Sequence, residues 1–246
     1  LDLSTLFTAP TVRALAKHIR DGADARYRTL TPIHAEGARV PFYCVHGVGG
    51  EVLTFMELAR ALGADQPFFG FRAIGHAGRE TPLATVREQA EVYVRELLEH
   101  DPDGPHLIGG YSHGARVVFE MARILEQQGR RPAFVALIDS WASDQLPRGG
   151  SWPARFALNV PRWVWHDLRL STRRENIDRV RRGLSWVTRL GGGRGDSPVG
   201  VGDHMDVRAL PDSVRAVYEA NFQAFRQYQP GPYSGPVTVI RATAQP

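Results

Sequence analysis

One contiguous stretch limits the fold more than any other: His106-Leu107-Ile108-Gly109-Gly110-Tyr111-Ser112-His113-Gly114, followed by a helix-period segment over 115–128. An apolar strand that enters Gly110-x-Ser112-x-Gly114 and leaves as a helix has to turn sharply. The serine is then held in strained backbone geometry, and its neighbours two residues away must lack side chains. Such a turn lifts Oγ above a sheet and sets the next backbone N–H at a helix start, where it can stabilise an oxyanion. The competing reading is a glycine-rich turn without chemistry, since 25 of the 246 residues are glycine. The flanking strand and helix favour the nucleophile elbow.

The surrounding pattern alternates. Strands are expected at 40–45, 66–73, before the elbow and at 133–138, and helices at 54–62, 85–100 and 115–128, the last closed by Gly129. Strands alternating with helices of this length predict a mostly parallel sheet covered by helices on both faces. The nearly continuous apolar run at 133–138 suits a buried parallel strand. The rhythm breaks over 141–210, which holds Trp152, Trp163, Trp165 and Trp186 and a glycine-rich tract. This segment is expected to be a helical lid insertion whose tryptophans line a substrate pocket. A helix at 212–228 and a strand at 236–242 restore the pattern. Residues 1–20 carry a separate helical stripe, with Pro10 placed to open a second helix and Thr8 to cap it. Residues 21–29 read as a linker, and 30–246 as the main domain.

Composition excludes several classes. No run of about eighteen apolar residues is present, so no membrane span is expected. The single Cys44 allows no internal disulfide and suits a reducing cytoplasm; mid-strand, it reads as a buried structural thiol. The net charge of +4 comes from Arg, with Lys17 the one lysine, and no nucleic-acid motif accompanies it. An Arg face in solvent is expected, with a phosphate-bearing ligand as the lesser alternative. No His/Cys/Asp cluster has metal-ligand spacing, so no metal is expected.

A serine nucleophile needs a base and an orienting acid, in the chain order Ser, Asp or Glu, His. Asp139 ends the strand after the elbow helix, on the sheet edge where ligands bind. It could also be an ordinary turn residue, and Asp144 is the fallback. The oxyanion hole wants two backbone donors, expected from His113 and from Val48 in His46-Gly47-Val48-Gly49-Gly50. A dinucleotide loop is the alternative there, but G-x-G-x-x-G is incomplete. The histidine is not evident. His113 should turn its ring away from Oγ, His46 sits in the oxyanion loop, His106 precedes the nucleophile in its own strand, and His204 in Gly202-Asp203-His204 comes before the final helix and strand. His204 is therefore read as a decoy, and Arg194-Gly195-Asp196 as a chance tripeptide.

These residues together resemble the type I thioesterase domain of nonribosomal peptide synthetases, over roughly 30–246. The specific parts are Val45 to Gly50, Gly109 to Ala115, Leu137-Ile138-Asp139-Ser140 and Tyr233 to Val239 with Arg241-Ala242. The resemblance implies an α/β-hydrolase fold, Ser112 as nucleophile, Asp139 orienting the histidine, and a lid over the acyl chain. A second resemblance, of Leu3 to Ala16 to the last helix of a peptidyl carrier domain, implies an upstream carrier as partner. Its phosphopantetheine arm would deliver the substrate, and no cofactor would be bound by the domain itself. In the family, Arg-Ala-x-x-Gln-Pro leads towards the catalytic histidine, so that residue is expected beyond 246, with a last strand and helix. On that expectation these 246 residues alone turn over weakly, as a monomer. Alternatives are a polyketide release domain, a stand-alone editing thioesterase, and a non-catalytic carrier-docking module.

Overall fold

The computed structural model describes residues 11–20, 28–76, 78, 80–140 and 210–241. In chain order these form α1 (Val12–Arg20), β1 (Leu30–His34), β2 (Phe42–Val45), a 3-10 turn (Leu53–Phe55) running into α2 (Met56–Leu62), and β3 (Phe68–Phe71). There follow α3 (Val86–His100), β4 (Leu107–Tyr111), α4 (His113–Gln127), β5 (Phe134–Ile138), α5 (Asp212–Gln227) and β6 (Thr238–Ile240). The six strands make one sheet in the order β1-β3-β2-β4-β5-β6. β1 runs antiparallel to β3, and every other neighbouring pair is parallel.

Strand periodicity divides the core in two. On β2, Tyr43 and Val45 face one cluster and Phe42 and Cys44 the other; on β5, Val135 and Leu137 separate from Ala136 in the same way. The larger cluster lies under α3 and α4, which contribute Val86, Ala90, Tyr93, Leu97, Val118 and Met121. The smaller lies under α2, through Phe55 and Ala59. Helices thus cover both faces, as the alternating pattern predicts. Cys44 is fully buried, and burial pushes its thiol well up.

Helix ends follow local chemistry. Thr85 caps α3 in a reciprocal box: Glu88 N donates to its hydroxyl at 3.1 Å, and Thr85 N donates to the Glu88 carboxylate at 3.0 Å. α4 closes with Gly129 at φ 73°, Gly129 N bonded to Glu126 O and Arg130 N to Leu125 O. Two expectations need correction. The cap of α1 is Thr11, whose hydroxyl accepts from Ala14 N at 3.1 Å, so this helix opens at Val12 rather than at Pro10; Thr8 lies outside the described residues. The other is β1, absent from the sequence reading. Leu30–His34 carries Pro32, tolerated because this is an edge strand. Its start is held by a buried carboxylate: Glu96 accepts from Thr29 N, Thr29 Oγ and Leu30 N at 3.0, 2.7 and 2.9 Å.

Candidate active site

β4 ends at Tyr111 and α4 begins at His113, so Ser112 alone makes the turn, at φ 54° and ψ −114°. A non-glycine residue there costs about 1–3 kcal/mol and persists only where its surroundings over-determine it. They do so here. Ser112 N donates to Ile138 O at 2.9 Å, extending the β4–β5 ladder through the turn, and Ala115 N donates back to Ser112 O at 3.1 Å. A Cβ on Gly110 would sit 2.1 Å from Gly114 O, and one on Gly114 would sit 2.4 Å from the carbonyl oxygens of both Val45 and His46. Backbone fills the space on both sides, so these positions admit only glycine.

Asp139 stands beside the elbow. Tyr111 pairs with Ile138 in the parallel ladder, so Ser112 and Asp139 leave neighbouring strands at the same level, with strand axes about 4.8 Å apart. Asp139 also has a positive φ, 57°, and its N–H donates to Ile240 O at 2.7 Å. The β6 ladder therefore steadies the acid as the β5 ladder steadies the serine.

The glycine loop after β2 faces the same edge. Gly47 O accepts from Gly50 N at 3.0 Å and from His46 Nδ1 at 2.6 Å. With Nδ1 carrying the proton, His46 Nε2 accepts from the Tyr93 hydroxyl at 2.8 Å. Burial pushes His46 down to about 4, against a favourable contribution from its bond to Gly47, so its ring is neutral near pH 7. In a planar trans peptide, C=O and N–H point in opposite directions. Holding Gly47 O therefore aims Val48 N–H the other way. His113 supplies the helix-start N–H, which has no intrahelical acceptor. Its ring is 1% exposed, stacks on His46 with centroids 5.9 Å apart, and donates from Nε2 to Gln89 Oε1 at 2.9 Å. Burial, then His46 and Arg116, holds His113 well below the ordinary histidine range.

Three candidate histidines are thus committed elsewhere: His46 to Gly47 and Tyr93, His113 to Gln89, and His106 to Asp101 O at 2.8 Å, before β4 begins. His204, Asp144, Trp152, Trp163, Trp165 and Trp186 lie outside the described residues. Among the described residues no group of three or more His, Cys, Asp or Glu could hold a metal ion, and no helix is long and apolar enough to cross a membrane.

The sequence reading passed over Gln89 and Asn221, each 2% exposed. A signal existed. Val86, Gln89, Ala90, Tyr93 and Leu97 share the buried stripe of α3, and Val217, Asn221 and Ala224 that of α5. A carboxamide on an apolar stripe needs a specific partner.

Comparison with known proteins supplies context for this geometry. Residues 40–151 match the family model described as "Thioesterase domain". A nonribosomal peptide synthetase, pngA, of Aspergillus terreus is 38% identical over 143 residues, covering 56% of this chain and 15% of its own length. The malpinin synthetase of Mortierella alpina is 32% identical over 249 residues, covering 94% of this chain and 3% of its own. The chain thus spans a small part of the curated relatives it matches. Among solved structures, the NocB thioesterase domain in covalent complex with a fluorophosphonate nocardicin G analog superposes with a TM-score of 0.55. That match is 23% identical and covers 86% of this chain and 77% of that one, a likeness of fold.

Proposed function

We propose that this chain releases a peptidyl or acyl chain from the phosphopantetheine thioester of a carrier domain, a reading supported by the match of residues 40–151 to the thioesterase domain model and by the nonribosomal peptide synthetases among the relatives. The observation that carries the reading is Ser112, strained at φ 54° between two glycines that admit no side chain, one strand from Asp139 at the same level. Ser112 Oγ attacks the thioester carbonyl. The C–O bond forms, the C–S bond breaks, and the pantetheine thiol leaves with the proton that the serine gave up. Backbone N–H groups of Val48 and His113 stabilise the tetrahedral oxyanion. Water, or an amine or hydroxyl of the chain itself, then attacks the ester and frees Ser112 as a linear acid or a ring.

The base in this scheme is a histidine outside the described residues, oriented by the Asp139 carboxylate. The neutral rings of His46 and His113 have structural duties, one under the oxyanion loop and one beneath the elbow. The carrier partner and the lid role of 141–210 belong to the same proposal, the first supported by the multidomain synthetases among the relatives.

The test is a fluorophosphonate probe applied to the full-length natural protein, with turnover of an acyl-pantetheine thioester read beside it. Labelling at Ser112 and its loss in Ser112→Ala are expected, with turnover falling by about four orders of magnitude or more. Labelling or turnover that survives the substitution removes the assignment.

A further inference from the structure

The two residues assigned to the oxyanion hole are joined through the core by a chain of three hydrogen bonds. His113 Nε2 donates to Gln89 Oε1 at 2.9 Å, Gln89 Nε2 donates to Asn221 Oδ1 at 3.1 Å, and Asn221 Nδ2 donates to Val48 O at 2.9 Å. Each link passes from donor to acceptor in one direction, and all three side chains are nearly inaccessible to solvent. From this geometry we infer that Gln89 and Asn221 are positioning residues, a carboxamide relay that sets Val48 N–H against His113 N–H. The inference rests on the oxyanion roles proposed above.

The physical argument concerns peptide planes. The direction of Val48 N–H follows from the Gly47–Val48 plane, held by His46 Nδ1 and Gly50 N on Gly47 O. One restrained plane leaves the chain free to swing about Val48. Asn221 on Val48 O holds the next plane, so both dihedrals of Val48 are determined. α5 can reach the loop because the loop is glycine there: a Cβ on Gly49 would meet the Tyr218 hydroxyl at 2.6 Å, and one on Gly50 would meet Val217 Cγ1 at 2.7 Å. Gln89 in turn fixes which way the Asn221 amide faces, because its NH₂ must meet Oδ1 and so turns Nδ2 towards the loop. Both carboxamides on this path have their oxygen and their NH₂ engaged, and a buried network of this kind specifies one geometry. Groups that merely satisfied each other would not need to end on both oxyanion residues.

Asn221→Leu keeps roughly the shape and removes the donor to Val48 O without adding charge. In the full-length protein, acyl-pantetheine turnover should lose roughly ten- to a hundredfold in kcat, less than deletion of an oxyanion donor, with KM within about twofold. Affinity for a phenylboronic acid, whose boron adds to Ser112 Oγ and places an oxygen in the hole, should fall by a similar factor. Gln89→Met cuts the relay one link earlier and should cost roughly three- to tenfold in kcat, with the same split from KM. An unchanged kcat in both variants overturns the relay, as does a loss of kcat matched by loss of substrate affinity. Should neither variant fold, the Asn221 side-chain amide protons of the unaltered protein decide. Protection from exchange with a shift on boronate binding supports the relay, and exchange within seconds overturns it. Turnover that survives Ser112→Ala defeats the reading of the site itself. Turnover that depends on Ser112 and is indifferent to both variants defeats the relay alone.

Discussion

Two buried polar networks meet on α3, and they are built from different chemistry. Near its C-terminal end, Glu96 gathers Thr29 N, Thr29 Oγ and Leu30 N; on the neighbouring α4, Glu120 gathers Arg123 at 2.6 Å and the Tyr228 hydroxyl at 2.8 Å. Near its N-terminal end, the chain from His113 through Gln89 and Asn221 to Val48 O uses neutral groups throughout. A carboxylate accepts on both oxygens and donates nothing, so it collects donors without imposing an order on them. A carboxamide has one donating end and one accepting end, so a row of them carries a direction. The acids therefore serve as clamps, which need contact. The amides suit a place where the direction of an N–H matters and where an added negative charge would oppose a developing oxyanion.

This contrast can be broken from either side. The largest effect should come from Glu96→Leu, which leaves three backbone N–H groups, those of Arg28, Thr29 and Leu30, and a buried hydroxyl without their acceptor. Denaturant unfolding should show a loss of about 4 kcal/mol, while kcat of the folded protein stays within about twofold. A kcat that falls with stability would mean the clamp also sets the site.

Acid should strain the neutral network next. His46 is lowered to about 4 from 6.5, so between those values the unfolded chain binds a proton that the folded one refuses. Its contribution is fully present above about pH 6.5 and is lost as pH falls towards about 4, amounting to about 3 kcal/mol. His113, shifted in the same direction, steepens the slope. Unfolding free energies measured from pH 7 to pH 4.5 should fall accordingly, and His46→Asn should flatten the curve. A pH-independent stability in the unaltered protein would show that these rings are not held neutral.

The smallest effect sharpens the difference between acid and amide. Glu120→Gln can keep an oxygen on Arg123 and Tyr228, which both donate to Glu120 Oε2, but it removes the charge that faces two arginines and turns an NH₂ towards Arg87. A loss of about 2 kcal/mol in unfolding free energy is expected, with labelling of Ser112 unchanged. A neutral outcome would mean the clamp works through shape alone.

Legibility in the sequence followed the range of the forces involved. The helix at 85–100 could be read because its amphipathic stripe lies within one segment, and it begins one residue later only because Thr85 serves as the cap. β1 could not be read, since Leu30–His34 is short, contains proline, and exists through pairing with β3 and the Glu96 clamp. The cap of α1 could not be read because a threonine before apolar positions is a weak signal, and only the bond from Ala14 N to the Thr11 hydroxyl identifies it.

The elbow needed nothing beyond its own residues. Gly110, Ser112 and Gly114 are neighbours in the chain, and hard-sphere sterics at a strand-to-helix turn leave little choice of side chain. The relay is the opposite case. Its links join residues 24, 132 and 173 positions apart, and each amide gains its direction only when three segments pack together. Local backbone geometry thus wrote the strained serine turn into the sequence, whereas the orientation of the glycine loop after β2 came from the folded core, because a hydrogen bond between distant side chains has no local signature.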